Sequence, residues 1–60
     1  MTPSIRKSAL NRLSRIGGQV RGIARMVEED RYCIDVITQV QAVRAALARI
    51  EQEVLKDHVA

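Results

Sequence analysis

The 60-residue chain holds one cysteine, Cys33, one histidine, His58, and one aromatic residue, Tyr32, directly before the cysteine. A lone thiol in the stretch Asp30-Arg31-Tyr32-Cys33-Ile34-Asp35 has three uses: a small core residue, a nucleophile, or one metal ligand whose partners come from elsewhere. His58 offers an imidazole 25 residues downstream. On one helix, at ~100° per residue, that separation falls about 20° short of seven turns, so the two side chains share a face. At about 1.5 Å per residue they also stand about 37 Å apart, far beyond the roughly 2.0 to 2.3 Å bonds of a shared metal. One chain cannot join them. Two antiparallel copies of the helix can, with Cys33 at the start of one beside His58 at the end of the other, and a two-fold axis makes two such sites. In that register Glu51 lies opposite position 40 of the other copy, one turn from Arg44, and an interchain ion pair is expected. The competing readings are a packed thiol, a histidine placed for the helix dipole, and Arg44 and Glu51 both snorkelling outward.

The elements that must position these residues follow from the apolar spacing. Ile5, Ala9, Leu13, Ile16, Val20, Ile23 and Val27 recur at intervals of three and four, which predicts one helix over about 3–28. Thr2 followed by Pro3 gives an N-cap and a first helical residue that needs no backbone donor. The charged cluster in Glu28-Glu29-Asp30-Arg31-Tyr32 breaks the stripe, which restarts as Cys33, Val36, Val40, Val43, Leu47, Ile50 and Val54. With alanines at 42, 45, 46 and 48 and neither Gly nor Pro after residue 22, the second helix is expected over about 33–60. The fold class expected is all-α: one domain over residues 1–60, built as an antiparallel helical hairpin. Gly17, Gly18 and Gly22 each cost roughly 1 kcal/mol inside a helix relative to alanine, so close approach of another helix's backbone, or a kink, is expected there.

A chain this short buries little when it folds alone, and one cysteine rules out an intrachain disulfide, so an oligomer is expected. No apolar run reaches membrane-spanning length, the N-terminus has no apolar h-region, and an unpaired cysteine suits a reducing compartment. The expected location is cytoplasmic. Ten Lys plus Arg against seven Asp plus Glu give a net charge of +3, and eight of the ten are arginine. Arginine's planar fork suits phosphate and base edges, which points to nucleic acid; a solvated helical surface is the alternative. One Cys and one His in different places leave no acid-base system, so an enzyme is not expected.

Leu10-Asn11-Arg12-Leu13, Ile16-Gly17-Gly18-Gln19-Val20-Arg21-Gly22-Ile23, Glu29 to Val36, Gln39 to Ala42 and Leu55-Lys56-Asp57-His58 together resemble the bacterial copper-sensitive operon repressors and their nickel/cobalt- and formaldehyde-sensing relatives. The resemblance covers nearly the whole chain from about Ser4. It implies two long antiparallel helices per protomer, an antiparallel dimeric four-helix bundle and usually a dimer of dimers. It also implies repression of an operator DNA that is released when the inducer binds. In copper-sensing members the Cys33 position binds Cu(I) across the dimer with the His58 position and a second cysteine four residues later, while the aromatic at the Tyr32 position orients the histidine. Thiolate ligands suit Cu(I) on chemical grounds as well. That second cysteine would fall two residues past Ala60, and the family's short third helix is missing too, so a truncated chain is expected.

The inducer is narrowed by the same resemblance. Nickel or cobalt sensors use an additional N-terminal histidine, absent here. Formaldehyde sensors use an N-terminal proline amine, whereas the Pro3 nitrogen is in an amide. Persulfide sensors lack the histidine. Cu(I) is the expected ligand, with another transition metal, or formaldehyde, as alternatives. Arg12 and Arg49 are the DNA contacts the resemblance favours, then Arg15; Gln19 lies beside Arg12 and Arg15, and Arg21 pairs with Arg25 on the outer face. A helix-turn-helix is not expected, so phosphate and groove-shape reading through a flat basic surface fits better. A helical structural or interaction module with an inert Cys33 is the rival from another class.

Overall fold

The computed structural model describes residues 1–59, the side chain of Val59 excepted. Helix α1 spans Pro3–Glu28 and α2 spans Cys33–Val59, and the described residues contain no strand. The expected bounds are met at both helix starts and at the end of α1; Ala60 lies outside the described residues. Thr2 caps α1 from an extended backbone (φ −67°, ψ 151°), its Oγ1 accepting the Ile5 N–H at 3.3 Å, with Pro3 as the first helical residue.

Between the helices the chain turns without a glycine. The Asp30 N–H donates to the Val27 carbonyl at 3.2 Å and the Arg31 N–H to the Met26 carbonyl at 3.0 Å, the paired bonds of a Schellman cap. Asp30 occupies the left-handed position that such a cap requires, with φ of 53°. An aspartate tolerates this conformation better than most side chains but less well than glycine. Asp30→Gly is therefore expected to raise stability by about 0.5–1 kcal/mol, read as a rise in the urea midpoint; a lower midpoint would show that the Asp30 side chain stabilises the turn. Tyr32 stands just before α2, its carbonyl accepting the N–H groups of Asp35 at 3.0 Å and Val36 at 3.2 Å.

The two helices lie antiparallel in a single layer. The Cα trace measures 45 × 16 × 9 Å with a radius of gyration of 14.1 Å. A compact chain of this length has a radius of about 10 Å, so one face of each helix remains uncovered. The pattern of burial makes this concrete. What the spacing presents as one stripe on each helix is two parallel lines at heptad spacing. In α1, Ala9 and Ile16 are buried and Ile23 is half-buried against them, whereas Leu13, Val20 and Val27 are exposed. In α2, Val43 and Ile50 are buried, with Val36 half-buried, whereas Cys33, Val40 and Leu47 are exposed, and the second line closes only at Val54. Ala9, Ile16, Val43 and Ile50 form the core, and among the described residues no side chain is buried completely.

The glycines do not admit α2. A Cβ on Gly17 would stand 3.5 Å from Arg21 Nη1, one on Gly18 3.8 Å from Arg21 Nη2, and one on Gly22 would meet open space. The close approach expected from sequence is thus not made within the chain, because α2 packs along the Ala9–Ile16–Ile23 line instead. Nor do the glycines interrupt α1, which runs unbroken through all three. No helix among the described residues is long and apolar enough to cross a membrane.

Candidate metal ligands and basic groove

Cys33 is the first residue of α2 and is exposed. His58 lies in its last turn, also exposed. Since α2 is one continuous helix from Cys33 to Val59, the two are separated by about 37 Å of helix axis, as the spacing predicts. Among the described residues no group of three or more His, Cys, Asp or Glu side chains could hold a metal ion within the chain. What the fold does provide is a shared face: Cys33 sits on one line with the exposed Val40 and Leu47 and the half-buried Val54, and His58 follows Val54 by one turn. A soft thiolate and an imidazole form a donor pair suited to Cu(I), but each chain supplies the two donors at opposite ends.

The end of α2 that carries His58 is anchored. Asp57 is only 15% exposed at its side chain, and its Oδ2 accepts the Thr2 N–H at 3.1 Å. This bond ties the start of α1 to the turn that presents His58. Tyr32 is 69% exposed and stands at the far end of α2 from His58 of its own chain. Arg44 and Glu51, both exposed, take no ion-pair partner among the described residues.

The basic residues gather elsewhere, in an open groove of about 700 Å³ between the N-terminal half of α1 and the middle of α2. Arg12, Arg15 and Gln19 line it from α1 and Arg49 from α2, so four of the five nucleic-acid candidates share one concave surface. Arg21 does not line it; its guanidinium folds back over Gly17 and Gly18. Lys7, Asn11, Ser4 and Ser8 complete the polar wall, adding a fourth cation and three hydrogen-bonding side chains that spacing alone did not single out. The signal was present, since residues 4, 7/8, 11, 15 and 19 recur at helical intervals beside the apolar stripe. One further contact was not foreseen: Arg12 Nη2 lies 3.4 Å from Glu53 Oε1 of α2.

Comparison with known proteins agrees with this architecture. The copper-sensing transcriptional repressor RicR of Mycobacterium tuberculosis is 58% identical over 48 residues, covering 80% of this chain and 50% of that protein. The copper-sensing transcriptional repressor CsoR of Bacillus subtilis is 56% identical over 48 residues, covering 80% of this chain and 48% of that protein. The crystal structure of the copper-sensing repressor CsoR with Cu(I) from Geobacillus thermodenitrificans superimposes with a TM-score of 0.90 at 42% identity, covering 98% of this chain and 62% of that one. The chain thus spans about half the length of the curated relatives it matches. The family model described as metal-sensitive transcriptional repressor matches residues 5–60. With two helices, donor groups at the ends of the second and a basic groove between them, the chain belongs to the metal-sensitive transcriptional repressors, a family of regulators rather than enzymes.

Proposed function

We propose that this protein is a cytoplasmic DNA-binding repressor that releases its operator when Cu(I) binds at a site shared between two protomers. The observation that carries this reading is the position of Cys33 and His58 at opposite ends of one helix, joined by an exposed apolar line. Val40 and Leu47, 40% and 44% exposed, are the surface that an antiparallel second copy of α2 covers. In that pairing Cys33 meets His58 of the partner subunit, Tyr32 stands beside the same imidazole as its orienting neighbour, and Arg44 comes within reach of Glu51 of the partner subunit. The same burial completes a core too small in the lone chain, and the still exposed Leu13, Val20 and Val27 of α1 suit further packing in a dimer or tetramer.

Cu(I), when bound, supplies a soft cation able to accept a thiolate and an imidazole from different chains. The chain's own part is to present Cys33 and His58 on the rigid helix that also carries Arg49, so that joining the ends of two copies bears on the groove geometry. The switch requires that the conformation favoured by the ligand bind DNA less well, since only differential affinity moves an equilibrium. On the DNA side, Arg12, Arg15 and Arg49 contact phosphates, with Gln19 and Asn11 within the same surface for groove edges. Arg21, outside the groove, contributes to the wider basic field only.

Duplexes selected by the apo protein from a random library are expected to be released on addition of stoichiometric Cu(I), and not of Zn(II) at the same concentration. Binding unaffected by Cu(I), or release by formaldehyde or nickel alone, would contradict the copper reading.

A further inference from the structure

Four cations line the basic groove, Lys7, Arg12, Arg15 and Arg49, and among the described residues only Arg12 has an ion-pair partner. That partner, Glu53, reaches it from the opposite helix through a single nitrogen and a single oxygen at 3.4 Å. A charge-assisted hydrogen bond closes to about 2.7–2.9 Å and is strongest when bidentate, so this is a loose contact with most of the guanidinium's donors still free. Both side chains are partly exposed, 33% for Arg12 and 29% for Glu53, so each can separate into water at small cost. A phosphate arriving at Arg12 would find the Glu53 carboxylate already there, with the same charge sign and the same demand for the guanidinium.

We infer that Glu53 is a competing anion built into the groove, a latch that holds Arg12 until nucleic acid displaces it. Engaging Arg12 exchanges one anionic partner for another, whereas engaging Lys7, Arg15 or Arg49 breaks no pair. Arg12 therefore contributes less to net affinity than its position suggests, and Glu53 sets how much less. Because phosphates carry no sequence information, the latch lowers affinity for every duplex by the same factor. It keeps the apo protein's hold on DNA in a range from which a modest loss of complementarity can clear it. The inference rests on the groove being the DNA surface.

Glu53→Gln keeps size and helix propensity and removes the charge, so the fold is retained and circular dichroism verifies it. Binding is read by fluorescence anisotropy on a selected duplex and on a non-selected duplex of equal length, in the wild type, E53Q, R12A and the double variant. E53Q is expected to tighten both duplexes by a common factor of about two to five per contacting protomer, and the gain is expected to vanish in the R12A background. If R12A weakens binding but E53Q leaves it unchanged or weaker, the latch is overturned while the groove stands as the DNA surface. An equal E53Q gain with and without Arg12 overturns it too, because the effect is then only a change in net charge. If removing Arg12 leaves affinity unchanged in the E53Q background too, where no latch holds it, the groove reading fails and the latch fails with it.

Discussion

His58→Ala is expected to lower Cu(I) affinity on the order of 100-fold or more while leaving the apo protein's DNA affinity within about two-fold. The magnitude follows from metal sites generally, where loss of a residue that merely orients a ligand already costs roughly 10- to 100-fold, and loss of the ligand costs at least that. The selectivity follows from position. His58 is exposed in the last turn of α2 and lines none of the basic groove, so its removal deletes a donor without opening the core or altering the DNA surface. Competition against a chelating Cu(I) probe measures the first effect and anisotropy the second. A variant that binds Cu(I) as the wild type does would mean that His58 is present at the end of α2 for another reason, such as the helix dipole.

The second large effect is expected at Arg49. It lines the groove from α2, faces Arg12 and Arg15 across it, and has no ion-pair partner among the described residues. Each phosphate contact releases condensed counterions, so Arg49→Ala is expected to lower the slope of log affinity against log salt by about 0.9 for each protomer in contact, with affinity falling about tenfold or more at low salt. A uniform loss across duplex sequences marks a phosphate contact; a loss confined to one base position marks groove-edge reading. The loss should exceed that of Arg12→Ala, since Arg49 surrenders nothing when it binds and Arg12 surrenders Glu53. An unchanged slope would remove Arg49 from the interface.

Much of this molecule is legible in its sequence because helices announce themselves through spacing and caps. Thr2-Pro3 starts α1 where the cap rules require, and the restart of the apolar pattern at Cys33 marks the first residue of α2. The end of α1 was legible only as a break in the stripe. Its Schellman cap was hidden because the left-handed position carries Asp30 where a glycine would have advertised it. The doubling of each stripe was hidden for a different reason. Intervals of three and four fit one wide apolar face equally well whether its two heptad lines meet one partner or two, and only the burial of Ile16 beside the exposure of Val20 separates them.

The candidate site residues divide in the same way. Arg12, Arg15, Gln19 and Arg49 could be nominated from composition, face and family resemblance, and the fold gathers them into one groove. Arg21, which spacing pairs with Arg25 on the outer face, lies outside that groove, its long side chain folded over Gly17 and Gly18. Glu53 was not foreseen, since an ion pair between residues 41 apart in sequence depends on the register of the hairpin, which no local pattern encodes. The separation of Cys33 and His58, by contrast, followed from helix geometry alone, and with it the need for a second chain if the two are to share a metal.

That need can be tested by complementation. Cys33→Ala chains and His58→Ala chains are each expected to lack high-affinity Cu(I) sites. When the two are unfolded together and refolded as a mixture, each mixed dimer pairs an intact Cys33 of one chain with an intact His58 of the other at one of its two sites. Random pairing makes about half of the dimers mixed, so about one quarter of the wild-type number of sites should return. Cu(I) binding no greater than the sum of the two variants measured separately would contradict a site shared between protomers.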